Sequence, residues 1–245
     1  MGQALSEAVD SQCAHCPAHH LAFCAKCTPI ELADFENLKY YRRFEPGEVI
    51  FWLGEPMGFV ATIVSGIATV NQTLPDGRRQ MVGLMMPSDF IGDPRRDKAP
   101  YDAISATETT LCCIPRRAFQ EAMEKSPRVI GQLFEMKRNE LDAMQEWMLL
   151  LGRKTAREKV ASLLLLLVRR QLCTGSRERR GPISVAIELS REEMGDYLGL
   201  TTETICRQLS SLRQDGVIAS NGVRNLSINS IDRLCAEACE APESA

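Results

Sequence analysis

The sequence predicts an α+β fold in three parts: an N-terminal antiparallel β-barrel or double-sheet roll, a long helix, and a C-terminal winged helix-turn-helix. Three observations predict it. Short apolar strands with Gly, Pro and Asp punctuation run from Tyr40 to about Ala118. A proline-free stretch then extends from Val129 to Arg170. From Ser190 onward, two short helix patterns across a glycine turn lead into a hairpin pattern.

In the roll, Glu48 to Trp52 follows Pro46-Gly47, and Phe59 to Val64 precedes Ser65-Gly66. Ile67 to Thr73 runs into Pro75-Asp76-Gly77, and Gln80 to Met85 follows. Helix is expected from near Arg116. Farther on, Leu141, Met144, Met148 and Leu151 recur at helical spacing. That a/d-like stripe fits either a core-facing helix or a seam between two subunits. The charged loop Gly175 to Gly181 is the clearest break after Gly152. Ser190 and Glu193 form a capping box ahead of Met194, Tyr197 and Leu198, the buried face of a short helix. Gly199 ends that helix and Thr201 caps the next. In the second helix Ile205, Leu209 and Leu212 make the core face. Gly216 stops it, and Val217–Ala219, Asn221-Gly222 and Arg224–Ile228 read as a β-hairpin.

Composition removes several classes. With 245 residues, 44% of them hydrophobic, the chain is long enough for one large core or two ordinary ones. The longest apolar run, Leu163 to Val168, is far short of the ~18 residues of a membrane span. The N-terminus has neither basic nor apolar signal regions, so a soluble, cytoplasmic protein without membrane contact is expected. Gly2 and Ser6 fit the loose myristoylation pattern, which five undemanding positions match easily by chance. Residues 153–234 carry 14 basic against 9 acidic side chains, while residues 1–152 carry 15 against 20. A polyanionic partner is therefore expected for the second part only. No paired acid/base set, nucleophile motif or phosphate loop is present, so an enzyme is not expected.

The cysteines say more. Of ten, Cys13, Cys16, Cys24 and Cys27 fall together, and Cys112 and Cys113 are adjacent. In a reducing compartment the N-terminal group reads as metal ligands rather than a disulfide framework. The C-x2-C-x7-C-x2-C spacing suits tetrahedral zinc, although its central gap is shorter than in common zinc ribbons. It equally suits an iron–sulfur cluster with one ligand brought from elsewhere in the chain. His15, His19 and His20 read as solvated neighbours. At the other end, Glu203, Cys206, Arg207 and Ser210 share the free face of the second helix. Arg donates two hydrogen bonds to guanine and Glu accepts from cytosine, so this face suits base reading in double-stranded DNA.

The cysteine group, the Gly-punctuated roll, the helix WMLLLGRKTAREKVASLL and REEMGDYLGLTTETICRQLSSLRQDGVI together resemble the FNR branch of the CRP–FNR transcription regulators. The chain is most similar to the FnrL-type oxygen-responsive subgroup, over nearly its whole length apart from about the last ten residues. The resemblance implies a cysteine-rich cluster-binding segment (1–30), a cyclic-nucleotide-binding-like sensory β-roll (31–125), a dimerisation helix (126–153) and a winged helix-turn-helix (154–245). It implies a homodimer joined through Leu141, Met144, Met148 and Leu151, and an oxygen-labile [4Fe–4S] cluster that favours the DNA-binding dimer. The subgroup's C-x2-C-x7-C motif falls on Cys13, Cys16 and Cys24, and Cys27 is the family's usual spare. The central ligand precedes an Ile-Pro step, which favours Cys112, with Cys113 the alternate if the register slips by one. Only one of that pair can face a cluster, since successive strand residues point to opposite faces.

The implied operator is a palindrome of TTGAT and its inverted copy, four base pairs apart, read by Arg207 and Glu203. Thr201, Cys206 and Ser210 accompany them, and Arg224 is the expected phosphate contact on the wing. RNA polymerase is the implied protein partner, and anaerobic or microaerobic gene expression the implied output. Three departures stand out. Cys206 replaces the serine of the family's Glu-x-x-Ser-Arg pattern. Met144 occupies the position of an acidic residue that gates dimerisation, leaving Glu140 and Asp142 as nearby acids. Gly92-Asp93 and Pro100-Tyr101 replace the phosphate-binding pairs of the nucleotide branch, so no cyclic nucleotide is expected. The alternative reading is a zinc-stabilised, thiol-redox-sensing DNA-binding regulator.

Overall fold

The computed structural model describes residues 13, 16–18, 21–77, 79–174, 183–220 and 225–241. Arg224, the Asn221-Gly222 turn, the three histidines and Gly2 with Ser6 lie outside them.

The N-terminal segment carries regular structure of its own. A 3-10 turn, Phe23–Lys26, leads into α1 (Pro29–Leu38). Thr28 and Glu31 close a reciprocal capping box around Pro29, which has no N–H to satisfy at the first helical position. The roll follows as β1 (Tyr40–Phe44), β2 (Val49–Phe51), β3 (Phe59–Ser65), β4 (Ala68–Thr73), β5 (Arg79–Met85), β6 (Phe90–Ile91), β7 (Asp102–Ser105) and β8 (Thr109–Pro115). These form two antiparallel sheets, ordered β1-β8-β3-β6 and β2-β7-β4-β5. Their inner faces share one core of Phe44, Phe51, Phe59, Ile63, Leu111 and Cys113. Strands β6 to β8 have weaker punctuation than the four strands legible in sequence.

The outer face of the first sheet is also covered. Val60 and Ile114 from that sheet join Phe23, Phe35, Phe90, Phe119, Met123 and Val129 in a separate apolar cluster. Helix α2 (Arg116–Lys125) and the first turn of α3 (Pro127–Arg153) complete that layer. The long proline-free stretch is two helices. Thr155 and Glu158 form a second local cap, Thr155 N–H donating to the Glu158 carboxylate at 2.6 Å, and α4 runs over Ala156–Thr174. Lys154 between them is extended.

The C-terminal part contains α5 (Arg191–Leu198), α6 (Thr202–Gln214), α7 (Ile231–Glu237) and a sheet ordered β10-β11-β9. Its strands are β9 (Ile183–Ala186), β10 (Ile218–Ser220) and β11 (Asn225–Ile228). The hairpin β10–β11 is the wing expected from sequence, while β9 is an additional strand pairing with β11. Met194, Leu198, Ile205, Leu209 and Leu212 are all buried, as their spacing requires. Ile67, Met81 and Met86 of the roll belong to this same core. Arg79 also meets Asp196 at 3.1 Å, and Gln80 donates to the Asp196 carbonyl at 2.7 Å. The roll therefore packs directly on the helix-turn-helix.

Candidate functional site

The thiol centre starts from Phe23. Its ring inserts among Phe35, Phe119 and Phe90 with centroids 5.1, 5.2 and 5.7 Å away. Cys24 and Cys27 ride on that anchor against the aromatic cluster. Upstream, Ala18 is fully buried and its carbonyl accepts a hydrogen bond from Ser88 Oγ at 3.0 Å. Cys13 is buried too, and α1 grips it twice. Its N–H donates to Glu36 Oε1 at 3.3 Å, and Lys39 Nζ donates to its Sγ at 3.1 Å.

The adjacent cysteines of β8 part company. Leu111 and Cys113 point into the roll core, and Cys112 lies on the outer face with Thr110. Cys112 faces the N-terminal segment closely enough that Cys13 and Cys16 act on its thiol electrostatically. Around Cys24 the neighbours are Cys13, Cys27, Cys112 and Cys16. Burial, and then repulsion from those thiols, pushes Cys24 up to about 12. Cys112 is pushed up to about 12 by burial first and Cys13 second. Cys27, raised to about 11 by burial and then Glu31, stands beside Cys13. Cys113 is raised to about 12 by burial, against the pull of Arg42, among apolar neighbours. Lys39 is held above its ordinary range: burial opposes its charge, but the Cys13 hydrogen bond and Tyr41 outweigh it.

Burial thus disfavours the charged form of Cys24, Cys27 and Cys112. Such donors need a positive centre to become thiolates, and a cysteine-ligated iron–sulfur group has that chemistry. Among the described residues, no three His, Cys, Asp or Glu are grouped so as to hold a single metal ion.

The second site is the α6 surface. Gly195 allows α5 to approach the turn, since a Cβ there would sit 2.6 Å from the Leu200 carbonyl oxygen. Gly199 closes α5 in the left-handed conformation at φ +64°. Thr201 Oγ1 then accepts from Thr204 N–H at 3.2 Å and starts α6. Glu203, Cys206 and Arg207 are exposed on the free face. Ser210 is exposed as well, but its hydroxyl donates to the Cys206 carbonyl at 2.9 Å within the helix.

On α3 the expected stripe divides. Leu141, Met144 and Met148 are exposed, with Met148 at 60%. Leu151 is half-buried against the helix-turn-helix core and touches the Gly199 region. Sequence reasoning missed Ile130 and Phe134, also exposed and the latter at 70%. Phe134, Leu141 and Met148 recur every seventh residue, as do Ile130, Lys137, Met144 and Leu151. Extending the heptad count about three turns upstream finds them. For Lys39 and Glu36 no signal existed, since nothing in sequence relates them to Cys13.

Two domain families match this geometry: "Cyclic nucleotide-binding domain" over residues 41–126 and "Crp-like helix-turn-helix domain" over residues 158–237. The chain is 52% identical to the transcriptional activator protein FnrL of Cereibacter sphaeroides over 227 residues, covering 93% of this chain and 92% of that protein. This chain is a CRP–FNR transcription regulator. It belongs to the FNR branch. The regulator is also 33% identical to the transcriptional activator protein anr of Pseudomonas aeruginosa over 231 residues, covering 91% of this chain and 92% of that one. Among solved structures it matches FixK2 from Bradyrhizobium japonicum with a TM-score of 0.74 at 31% identity, covering 84% of this chain and 99% of that one. FnrL and anr are named as activators of transcription, and α5 and α6 lie within the matched Crp-like helix-turn-helix domain, so the regulator belongs to a DNA-binding family and is not an enzyme.

In the roll, Gly92 N–H donates to Tyr101 Oη at 3.3 Å. The phenol thus occupies the Gly92 backbone donor. Among the described residues of the regulator, no helix is long and apolar enough to cross a membrane.

Proposed function

We propose that the regulator is oxygen-responsive, with a [4Fe–4S] cluster ligated by Cys13, Cys16, Cys24 and Cys112. The observation that carries this reading is the electrostatic proximity of Cys112, on β8, to Cys13 and Cys16, with Cys24 coupled to all three. The donor set is thiol-only and desolvated, and its partner segments come from opposite ends of the roll. When bound, such a cluster supplies an oxygen-labile link between those segments. Cys27 is the spare of the N-terminal group, and Cys113 belongs to the roll core.

The residues of the chain do the rest. Phe23, Ala18 and α1 fix the N-terminal segment on the outer face of the first sheet, beside the start of α3. Exposed Ile130, Phe134, Leu141, Met144 and Met148 form a seam for a second copy of the chain. A seam of this kind is unstable in water and is satisfied by an identical helix. Two-fold pairing presents two α6 helices to successive major grooves about 10 bp apart, which suits a TTGAT-N4-ATCAA palindrome. Arg207 reads guanine and Glu203 the cytosine of a neighbouring pair. RNA polymerase is the partner through which operator binding acts, controlling anaerobic and microaerobic genes in the cytoplasm. The Tyr101–Gly92 contact supports a roll that works without cyclic nucleotide.

The test is the visible absorption, iron and sulfide content of anaerobically purified protein before and after air. Brown protein that bleaches in air supports the reading. Colourless protein with stoichiometric zinc replaces it with a thiol-redox regulator.

A further inference from the structure

The Cys13 thiol has a half-buried cation at hydrogen-bond distance. Lys39 is the C-cap of α1, and only 10% of its side chain is exposed. Its Nζ donates to Cys13 Sγ at 3.1 Å and lies 5.6 Å from the Tyr41 ring centroid. Glu36, one turn earlier, stands 3.7 Å from Lys39 Nζ and also accepts the Cys13 N–H at 3.3 Å. Cys13 is thus held at backbone and thiol by a Glu–Lys pair that belongs to no cysteine motif. An ammonium withdrawn from water needs acceptors or an anion, and the Glu36 carboxylate and the Cys13 sulfur both stand within reach of this one.

We infer that Lys39 is a positioning residue that sets how readily the thiol centre loses an electron, by placing a fixed positive charge and an N–H···S hydrogen bond on the ligand Cys13. This rests on the ligand set proposed above. Reduction potentials of thiolate-held iron–sulfur groups follow net charge, hydrogen bonds to sulfur and exposure. Partners of metal ligands typically change affinity or activity by about 10–100-fold. A positive charge stabilises the more electron-rich state, so removing it makes oxidation easier. Glu36 acts with opposite sign, since its carboxylate offsets Lys39. In air the electron passes to dioxygen, and Lys39 keeps its proton throughout.

The experiment uses full-length, anaerobically reconstituted wild type, Lys39→Met, Lys39→Arg and Glu36→Gln. Each is loaded to equal iron and sulfide content, titrated with redox mediators, and then mixed with air-saturated buffer. Lys39→Met should shift the one-electron equilibrium about tenfold toward the oxidised state, a midpoint about 59 mV lower. It should also bleach several-fold faster. Lys39→Arg should restore the wild-type potential to within about twofold in that equilibrium, and Glu36→Gln, which keeps an acceptor for the Cys13 N–H, should move it the other way.

Equal potentials in loaded wild type and Lys39→Met overturn the inference while leaving the ligand assignment intact. So does Lys39→Arg behaving like Lys39→Met, which points to packing instead of charge. Should Lys39→Met fail to load, Glu36→Gln decides alone, and an unchanged potential there rejects the role. Wild type without iron and sulfide rejects the ligand assignment and this inference together.

Discussion

At the C-terminal end, the shape of α6 is set almost entirely between Ser190 and Gly216: one capping box, two glycines and three buried apolar side chains. The thiol centre is built the other way. Its N-terminal cysteines acquire a location because Phe23 sinks into rings supplied by α1, β6 and α2, while Ser88 holds Ala18 and Glu36 with Lys39 holds Cys13. Its fourth cysteine arrives on β8, next to one that points the other way. A site made by local sequence survives distant changes. A site made by topology fails whenever any of its supports does, which is a useful property in a sensor.

Breaking the topological site should produce the largest effect. Cys24→Ala removes the thiol that is coupled to all the others, and should abolish cluster loading and operator binding together, read by absorbance and gel shift. Cys27→Ala should leave both near wild type. Loading that survives Cys24→Ala would move the centre elsewhere.

Next in size is the seam. Met148→Asp buries a carboxylate twice per dimer, at an effective penalty of several kcal/mol per ion. Sedimentation should show a monomer of unchanged helix content that no longer binds operator. A persistent dimer would assign the stripe to packing within one chain.

Phe23→Ala follows, with a loss of about 3–5 kcal/mol of packing in thermal or denaturant unfolding. Its sharper readout is location: cluster loading should fall in Phe23→Ala while Leu212→Ala, a core change of comparable size beneath α6, leaves loading intact. Equal loss of loading in both would mean that the two regions are not separable.

The smallest effect is expected at the local site. Arg207→Ala should weaken operator binding by about 1–3 kcal/mol per half-site and relax preference mainly at the guanine position. Uniform weakening across all operators would make Arg207 a phosphate contact.

The same contrast explains what was legible in sequence. Ser190-x-x-Glu193 announced α5, and Ile205, Leu209 and Leu212 announced the buried face of α6, because capping and helical period are local signals. Thr28-x-x-Glu31 carries the same signal, yet α1 is visible only in three dimensions, and the division between α3 and α4 was implied by the family resemblance although Thr155-x-x-Glu158 marks it locally. The Cys112–Cys113 pair could be narrowed by strand alternation but not assigned, since choosing between them requires knowing which face of β8 the N-terminal segment covers. Lys39 and Glu36 lay beyond sequence altogether. Their role exists only because α1 folds back over Cys13.

If the thiol centre controls operator binding through the dimer, cluster, assembly and affinity must change together. The most direct measurement follows one anaerobically reconstituted sample through limited exposure to air. Visible absorbance, sedimentation and affinity for a fluorescent TTGAT-N4-ATCAA duplex are recorded at each step. Dimer and operator affinity should decline together with absorbance, by about tenfold or more at full bleaching, and return on reconstitution. Undiminished operator affinity in fully bleached, iron-free protein would contradict it.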